Sequence, residues 1–193
     1  MASNLPAPYL IADHVGLEVV NTIGAPYGAE LDWLVNGQEL LSWMAAVGLL
    51  TAKEAARLAA ALTADDLEKA ADTLRALRTE MQENIPEASP EFMARLNDLL
   101  TTGRGHYEIE TGAEGQRNMR FQPLLETADD LVVRVAVEIA ELYCLNTPER
   151  MRECGSPTCT YWFHDNTRNN RRRWCSMAVC GNRAKVKAHR ARQ

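Results

Sequence analysis

Apolar residues recur at helical spacing along much of the chain, and short polar signals separate the runs. The stripe from Leu40 to Val47 ends at Gly48, which is typical of a helix C-cap. A capping box begins at Thr51, and an acidic pair starting at Asp65 opens a further helix that stops before Pro86. This part of the chain is therefore predicted to be helical.

Two more helices are predicted farther along. Ser89 is a typical N-cap, Pro90 suits the first helical position, and this helix ends at Gly103. A longer helix runs from Thr127 to about Cys144, because its apolar and charged residues fall on opposite faces.

Two segments have the pattern of β-strands. The stretch HYEIETGAEGQRNMRFQPL alternates around a glycine-containing turn at 112–115, which predicts a β-hairpin. VGLEVVNT, residues 15–22, predicts another strand, with a helix as the alternative. Pro148 marks a boundary, which gives domains at 1–147 and 148–193. The predicted class is α+β: a mainly helical N-terminal domain with a small hairpin or sheet, then a treble-clef-like zinc finger.

The charge is divided sharply at this boundary. Residues 150–193 hold eleven of the 21 Lys and Arg residues and two of the 26 Asp and Glu residues, a net charge of +9. Residues 1–149 have a net charge of −14, although the chain totals only −5. Such asymmetry indicates that the C-terminal part is an interaction module.

Composition indicates the class of protein and the compartment in which it is expected. An apolar fraction of 46% is ordinary for a globular protein. No apolar run reaches the roughly eighteen residues of a membrane span, and the N-terminus lacks the features of a signal peptide. We therefore expect a cytoplasmic protein without a membrane partner. In that reducing compartment, paired cysteines indicate metal ligands before disulfides.

Four of the five cysteines form two regular pairs near the C-terminus. Each pair has four intervening residues, and fifteen residues separate the pairs: Cys154, Cys159, Cys175 and Cys180. Four thiolates complete a closed tetrahedral zinc site, so we expect one structural Zn²⁺ and no open position for catalysis. TYWFHD and RRRWC are predicted to pair as a hairpin, and the helix formers after Cys175 complete a treble clef.

Basic residues surround this predicted site. The hairpin carries four of them and the following helix five: Arg168, Arg171, Arg172, Arg173, Arg183, Lys185, Lys187, Arg190 and Arg192. A zinc-held helix fits the major groove of DNA while hairpin arginines contact phosphates. Asn182 could read adenine, although a turn role is favoured beside Gly181. Docking of these cations on the acidic domain stays open.

The ending RRRWCSMAVCGNRAKVKAHR resembles the CGNR zinc-finger family, and its cysteines correspond to the zinc ligands. GLEVVNT, ELLSWMAAVGLL and LRALR resemble the ABATE domain that usually precedes that finger. The resemblance implies a transcription regulator induced by stress. Glu18 departs from the family pattern, in which an aspartate is usual.

The resulting hypothesis is a DNA-binding transcription regulator whose acidic domain receives a signal. An RNA-binding or ribosome-associated module and a protein-docking zinc module are the alternatives, and an enzyme is disfavoured because no phosphate loop, triad or carboxylate pair is found. Any ligand pocket is expected within residues 1–149 or at the junction with the finger. Glu18, Asn21 and Thr22 are its candidate lining, with pinning of a core element as the alternative. A homodimer also stays open.

Overall fold

The computed structural model describes residues 5–25 and 29–191, so Arg192 of the predicted basic helix lies outside the described residues. The helices are α1 Val15–Glu18, α2 Gly37–Ala46, α3 Ala52–Ala61, α4 Ala64–Glu83, α5 Pro90–Thr101, α6 Ala128–Cys144 and α7 Asn182–Arg190. The strands form three antiparallel pairs: β1 Ile23–Gly24 with β2 Leu31–Asp32, β3 Gly105–Thr111 with β4 Arg117–Pro123, and β5 Met151–Glu153 with β6 Trp162–His164. The predicted α+β class is confirmed.

Local capping signals set most helix ends where the sequence predicts them. The capping boxes at Thr51 and Thr127 are both complete, and the Ser89 hydroxyl accepts from the backbone N–H of Phe92 at 3.1 Å. Gly48 follows α2 with a φ of +80°, a conformation that glycine adopts without a steric penalty. The predicted helices between residues 37 and 144 are therefore confirmed.

The main core lies where α4 packs against α2 and α6, and α1 and α5 also pack against α6. Its largest fully buried side chains include Trp43, Leu40 and Met44 of α2 and Leu74 and Leu77 of α4. No helix within the described ranges is long and apolar enough to cross a membrane.

The strand predicted over residues 15–22 is wrong, and its helical alternative is correct. His14 caps α1, because its Nδ1 accepts from the backbone N–H of Gly16 at 3.1 Å, and a 3₁₀ turn follows at Val20–Thr22. Gly16 lies so close to α6 that a β-carbon there would overlap the carbonyl of Glu138. The packing of α1 on α6 therefore overrides the strand preference of its valines.

The hairpin predicted within 106–124 is confirmed as β3–β4, but the one predicted inside the finger is wrong. The segment 162–164 is a strand, yet it pairs with Met151–Glu153 and not with residues 171–175. Residues 171–173 have no regular structure, and one backbone bond, Gly155 N–H to the Arg173 carbonyl at 2.9 Å, ties them to the first cysteine turn.

Candidate metal centre and basic surface

The four paired cysteines converge at one point. Their sulfur atoms all lie within 4.8 Å of one another, with 3.7 Å between Cys159 and Cys175 and 3.6 Å between Cys175 and Cys180. A tetrahedron with metal–sulfur bonds of about 2.3 Å has sulfur–sulfur edges of about 3.8 Å. A disulfide would need about 2.05 Å, and all four thiols are free. The arrangement therefore fits one structural zinc ion.

Two different local structures present the sulfurs. The first pair lies in a tight turn between β5 and β6, where the Cys159 N–H donates to the Ser156 carbonyl at 3.1 Å and the Cys154 N–H to the Tyr161 carbonyl at 2.8 Å. In the second pair, Cys175 precedes a π-helical turn, Met177–Gly181, and Cys180 lies within that turn, which continues directly into α7. The predicted position of Cys175 and Cys180 at a helix N-terminus is correct.

The thiols cannot all ionise without a cation among them. A hydrogen bond from Cys175 lowers the pKa of Cys159 to about 5, whereas the pKa of Cys175 is raised by that bond, by burial and by the neighbouring thiolates. Burial is the main cause that raises the pKa of Cys180 to about 11. A bound divalent ion removes this conflict, because coordinated thiols deprotonate.

Most of the predicted basic side chains face solvent. On the loop between β6 and Cys175, the exposed residues are Arg168, Arg171 and Arg173, and the Arg173 guanidinium lies 4.6 Å from the centre of the Trp174 ring. These arginines border an open groove of about 600 Å³ that ends at Met177. The loop therefore offers several cations and an aromatic edge to one ligand.

Helix α7 forms a second basic groove. One face is lined by Arg183, Lys187 and Arg190, the positions predicted to share a helical face, and also by Asn182 and Val186. Lys185 is exposed but does not line this groove. Val186 was not among the predicted site residues, although it lies three residues after Arg183 on a helix with no apolar stripe.

Arg172 is less exposed than the other predicted loop arginines. Its guanidinium pairs with Asp13, donates to the carbonyls of Ile11, Cys175 and Trp174, and lies 4.3 Å from the centre of the Phe163 ring. These contacts engage the Arg172 guanidinium with protein groups, but the residue also borders the groove of Arg171 and Arg173. Its contact with nucleic acid therefore stays a prediction. Of the finger arginines, this one fits the docking alternative.

Asn182 supports its predicted structural role. Its side-chain amide donates to the Ala178 carbonyl at 3.1 Å, which ties the start of α7 to the π-helical turn. The residue is exposed, however, and it lines the same groove as Arg183.

Asp165 organises the loop beneath the arginines. Its fully buried carboxylate accepts from the Thr167 N–H at 2.9 Å and the Arg172 N–H at 2.8 Å, and Arg152 lies 3.7 Å away. Burial alone would raise the pKa of Asp165, but the bonds from Thr167 and Arg172 and the charge of Arg152 lower it. The loop is thus built around a buried anion.

The finger is joined to the first part of the chain by backbone contacts. The Asn21 side chain accepts from the Trp162 N–H at 2.9 Å and donates to the Trp162 carbonyl at 2.8 Å. The His164 N–H donates to the Ala12 carbonyl at 2.7 Å, and Met151 of β5 belongs to the main core. The predicted boundary at 147/148 is therefore crossed by specific contacts.

The three predicted pocket residues are all engaged by protein groups. A Glu18 oxygen accepts from the Ala12 N–H at 2.7 Å, Asn21 pins β6, and the Thr22 hydroxyl accepts from Arg78 at 2.9 Å. Their contacts match the alternative in which they pin a core element. A cavity of about 700 Å³ lies instead between the β3–β4 hairpin and α6.

Comparisons with known families agree with this organisation. Residues 13–145 match the ABATE family model, described as "Putative stress-induced transcription regulator", and residues 150–193 match the CGNR zinc-finger model. The two families and their order are those the sequence resemblance implies. The curated proteins contain no match to the chain.

Proposed function

The chain belongs to the ABATE family and carries a C-terminal CGNR zinc finger, and from this premise we propose that it regulates transcription in the cytoplasm by binding duplex DNA through the finger. The observation that carries the proposal is the division of the finger's cations. Arg150 and Arg152 bind carbonyls within the finger, and Arg172 binds carbonyls of Cys175 and of Ile11. The loop and helix arginines and lysines described above face solvent beside the metal centre.

The two exposed grooves suit different parts of a duplex. Arg168, Arg171 and Arg173 are on an irregular loop, where they can follow phosphates without reading sequence. Arg183 and Lys187 are on a helix whose first turns are fixed by the zinc site, and such a helix fits the major groove. Val186, exposed between them, offers an apolar contact of the kind that thymine methyl groups accept.

This division favours DNA over RNA. The major groove of A-form RNA is too narrow for a helix, so α7 would have no counterpart in a double-stranded RNA. The loop arginines alone would suit either polymer. The RNA-binding alternative therefore predicts that the loop matters and that α7 does not.

The acidic domain is proposed to receive the signal. Its cavity beside the β3–β4 hairpin is lined by Arg104 and Arg134, which pair with Asp130 and Glu138, and by apolar residues of α6. A mixed lining of this kind suits a small molecule with both polar and apolar parts.

We propose no catalytic role. The sequence His164-Asp165-Asn166 is the nearest candidate, but its groups bind one another and the loop: the His164 ring contacts Asn166 Oδ1 at 2.7 Å and Thr147 Oγ1 at 3.1 Å.

The test is binding of the zinc-loaded full chain to labelled duplex DNA and to structured RNA, over a range of salt concentrations. Replacing Arg171 and Arg173 with alanine should weaken binding to all duplexes and flatten the slope of log K against log salt by about 0.9 for each phosphate that the variant no longer neutralises. Arg183→Ala or Lys187→Ala should instead cost about 1–3 kcal/mol at particular base pairs. Lys53→Ala, an exposed lysine on α3, is the control and should change neither quantity.

Tighter binding to RNA that is insensitive to Arg183→Ala would favour the RNA-binding alternative. If no nucleic acid shows salt-dependent affinity, the regulator proposal fails, and the finger is better described as a protein-docking module.

A further inference from the structure

The β3–β4 hairpin carries large apolar side chains on a face turned to solvent. Tyr107 and Ile109 of β3 stand directly opposite Phe121 and Met119 of β4, and their exposed fractions are 68%, 68%, 50% and 70%. The Tyr107 and Phe121 rings touch edge to face, with 5.4 Å between their centres. Because residues two apart in a strand share a side of the sheet, the four form one continuous patch, here called the hairpin face.

The opposite side of the same hairpin is polar. Glu110, Arg120 and Gln122 line the cavity beside α6, and Glu110 binds Arg120 at 3.2 Å and Gln122 at 3.2 Å. The hairpin therefore turns its polar side to its own domain, and of the four apolar side chains Phe121 alone also borders that cavity. Packing against the domain's core does not account for the apolar side chains, and among the described residues both outer strand edges lack a partner strand.

Such an element is poorly stabilised alone. A two-stranded hairpin is marginal in water, and it gains stability when further strands or another surface cover its apolar face. An open apolar face with free strand edges is also a site of unwanted association unless a specific partner occupies it.

We propose that the hairpin face is a dimerisation surface whose occupant is the same face of a second copy of this chain. The four side chains together expose on the order of 500 Å². Two copies placed face to face would bury roughly 1,000 Å² before flanking atoms are counted, which reaches the lower limit of a specific interface.

The cross-strand pairing of the hairpin face fits this occupant. Tyr107 pairs with Phe121 across the hairpin, and Ile109 pairs with Met119. A two-fold axis parallel to the strands would set β3 of each copy over β4 of the other. That arrangement stacks the aromatic pair on the aromatic pair and Ile109 on Met119, so the face is complementary to itself.

The proposal is tested by sedimentation equilibrium of the zinc-loaded full chain over a concentration series. The wild type should shift from monomer to dimer as concentration rises. Ile109→Glu or Met119→Lys alone should raise the dissociation constant at least about tenfold, because each would bury an unpaired charge. Glu108→Gln, on the polar side of the same strand, should leave the dimer unchanged.

An equimolar mixture of the Ile109→Glu and Met119→Lys chains should recover association, because the introduced carboxylate and ammonium would then face each other. This recovery also shows that both variants fold. A wild type that stays monomeric throughout, including one that instead binds a different protein at this face, would overturn the proposal. So would a dimer that Ile109→Glu leaves intact.

Discussion

Glu18 should make the stability of the fold depend on pH near neutrality. Its side chain is only 7% exposed, at the point where residues 11–13 cross toward the finger. Burial raises the pKa of Glu18 from 4.5 to about 7, against the opposing hydrogen bonds from Ala12 and Asn21, and the charge of Asp13 adds to the rise. The folded protein therefore holds a proton there that the unfolded chain would release.

The size and sign of the effect follow from this difference. Below about pH 4.5 the carboxyl is neutral in both states and its contribution is fully present, whereas above that value the unfolded chain ionises first and the folded state loses stability. Glu18→Gln stays neutral and keeps the acceptor for the Ala12 N–H. The free energy of unfolding of the variant, measured relative to the wild type, should rise by about 2 kcal/mol between about pH 5 and pH 7. Above that range the total difference should level off near about 3 kcal/mol.

Urea unfolding of both zinc-loaded proteins across this range measures the gain. The difference between them at each pH removes the pH dependence of zinc binding, which both share. Glu87→Gln, an exposed glutamate, should show no such trend. A difference between the wild type and Glu18→Gln that does not change with pH would refute the assignment of a raised pKa to this carboxyl.

Two further predictions concern the finger and its attachment. Elemental analysis should find one zinc per chain, and Cys154→Ser or Cys180→Ser should lose it and reduce helical signal beyond the finger, since Met151 of β5 is part of the main core. The exposed Cys144→Ser is the control and should keep full occupancy. Gly24→Ala should destabilise the fold by about 1–3 kcal/mol in urea unfolding, because a β-carbon there would overlap the Tyr161 ring. At Gly48 an added β-carbon would have no neighbour, although φ is positive. Gly48→Ala should therefore lower the free energy of unfolding by only about 1 kcal/mol. Equal losses for the two variants would contradict the overlap argument.

The sequence predicts what is decided locally. The capping boxes at Thr51 and Thr127 and the proline after Ser89 act within one helical turn, so their signals can be read without knowing the fold. The cysteine spacing is equally local in effect, because each pair needs only its own turn to converge on a metal. These predictions are confirmed.

The wrong predictions concern segments whose structure depends on contacts between residues far apart in the chain. Residues 15–22 carry strand-forming valines, and only their packing on α6 makes them helical. The partner of β6 is a three-residue segment before Cys154, too short for a periodic signal. The sequence does not distinguish the three consecutive arginines at 171–173. Only Arg172 is turned inward, because it pairs with Asp13, which lies 159 residues away in the chain.

The contacts between residues 9–24 and the finger limit how freely the finger could be exchanged between proteins. Asn21 binds the backbone of residue 162 and would accept any side chain there. Two other contacts, in contrast, depend on the side chains of both partners. The Tyr161 ring needs a glycine at position 24, and Arg172 needs the carboxylate of Asp13. A chimaera that exchanges only the finger would lose both contacts, because Asp13 and Gly24 lie in the N-terminal part of the chain. The finger is therefore exchanged most easily together with these N-terminal residues, and recombination at the 147/148 boundary alone would separate the partners.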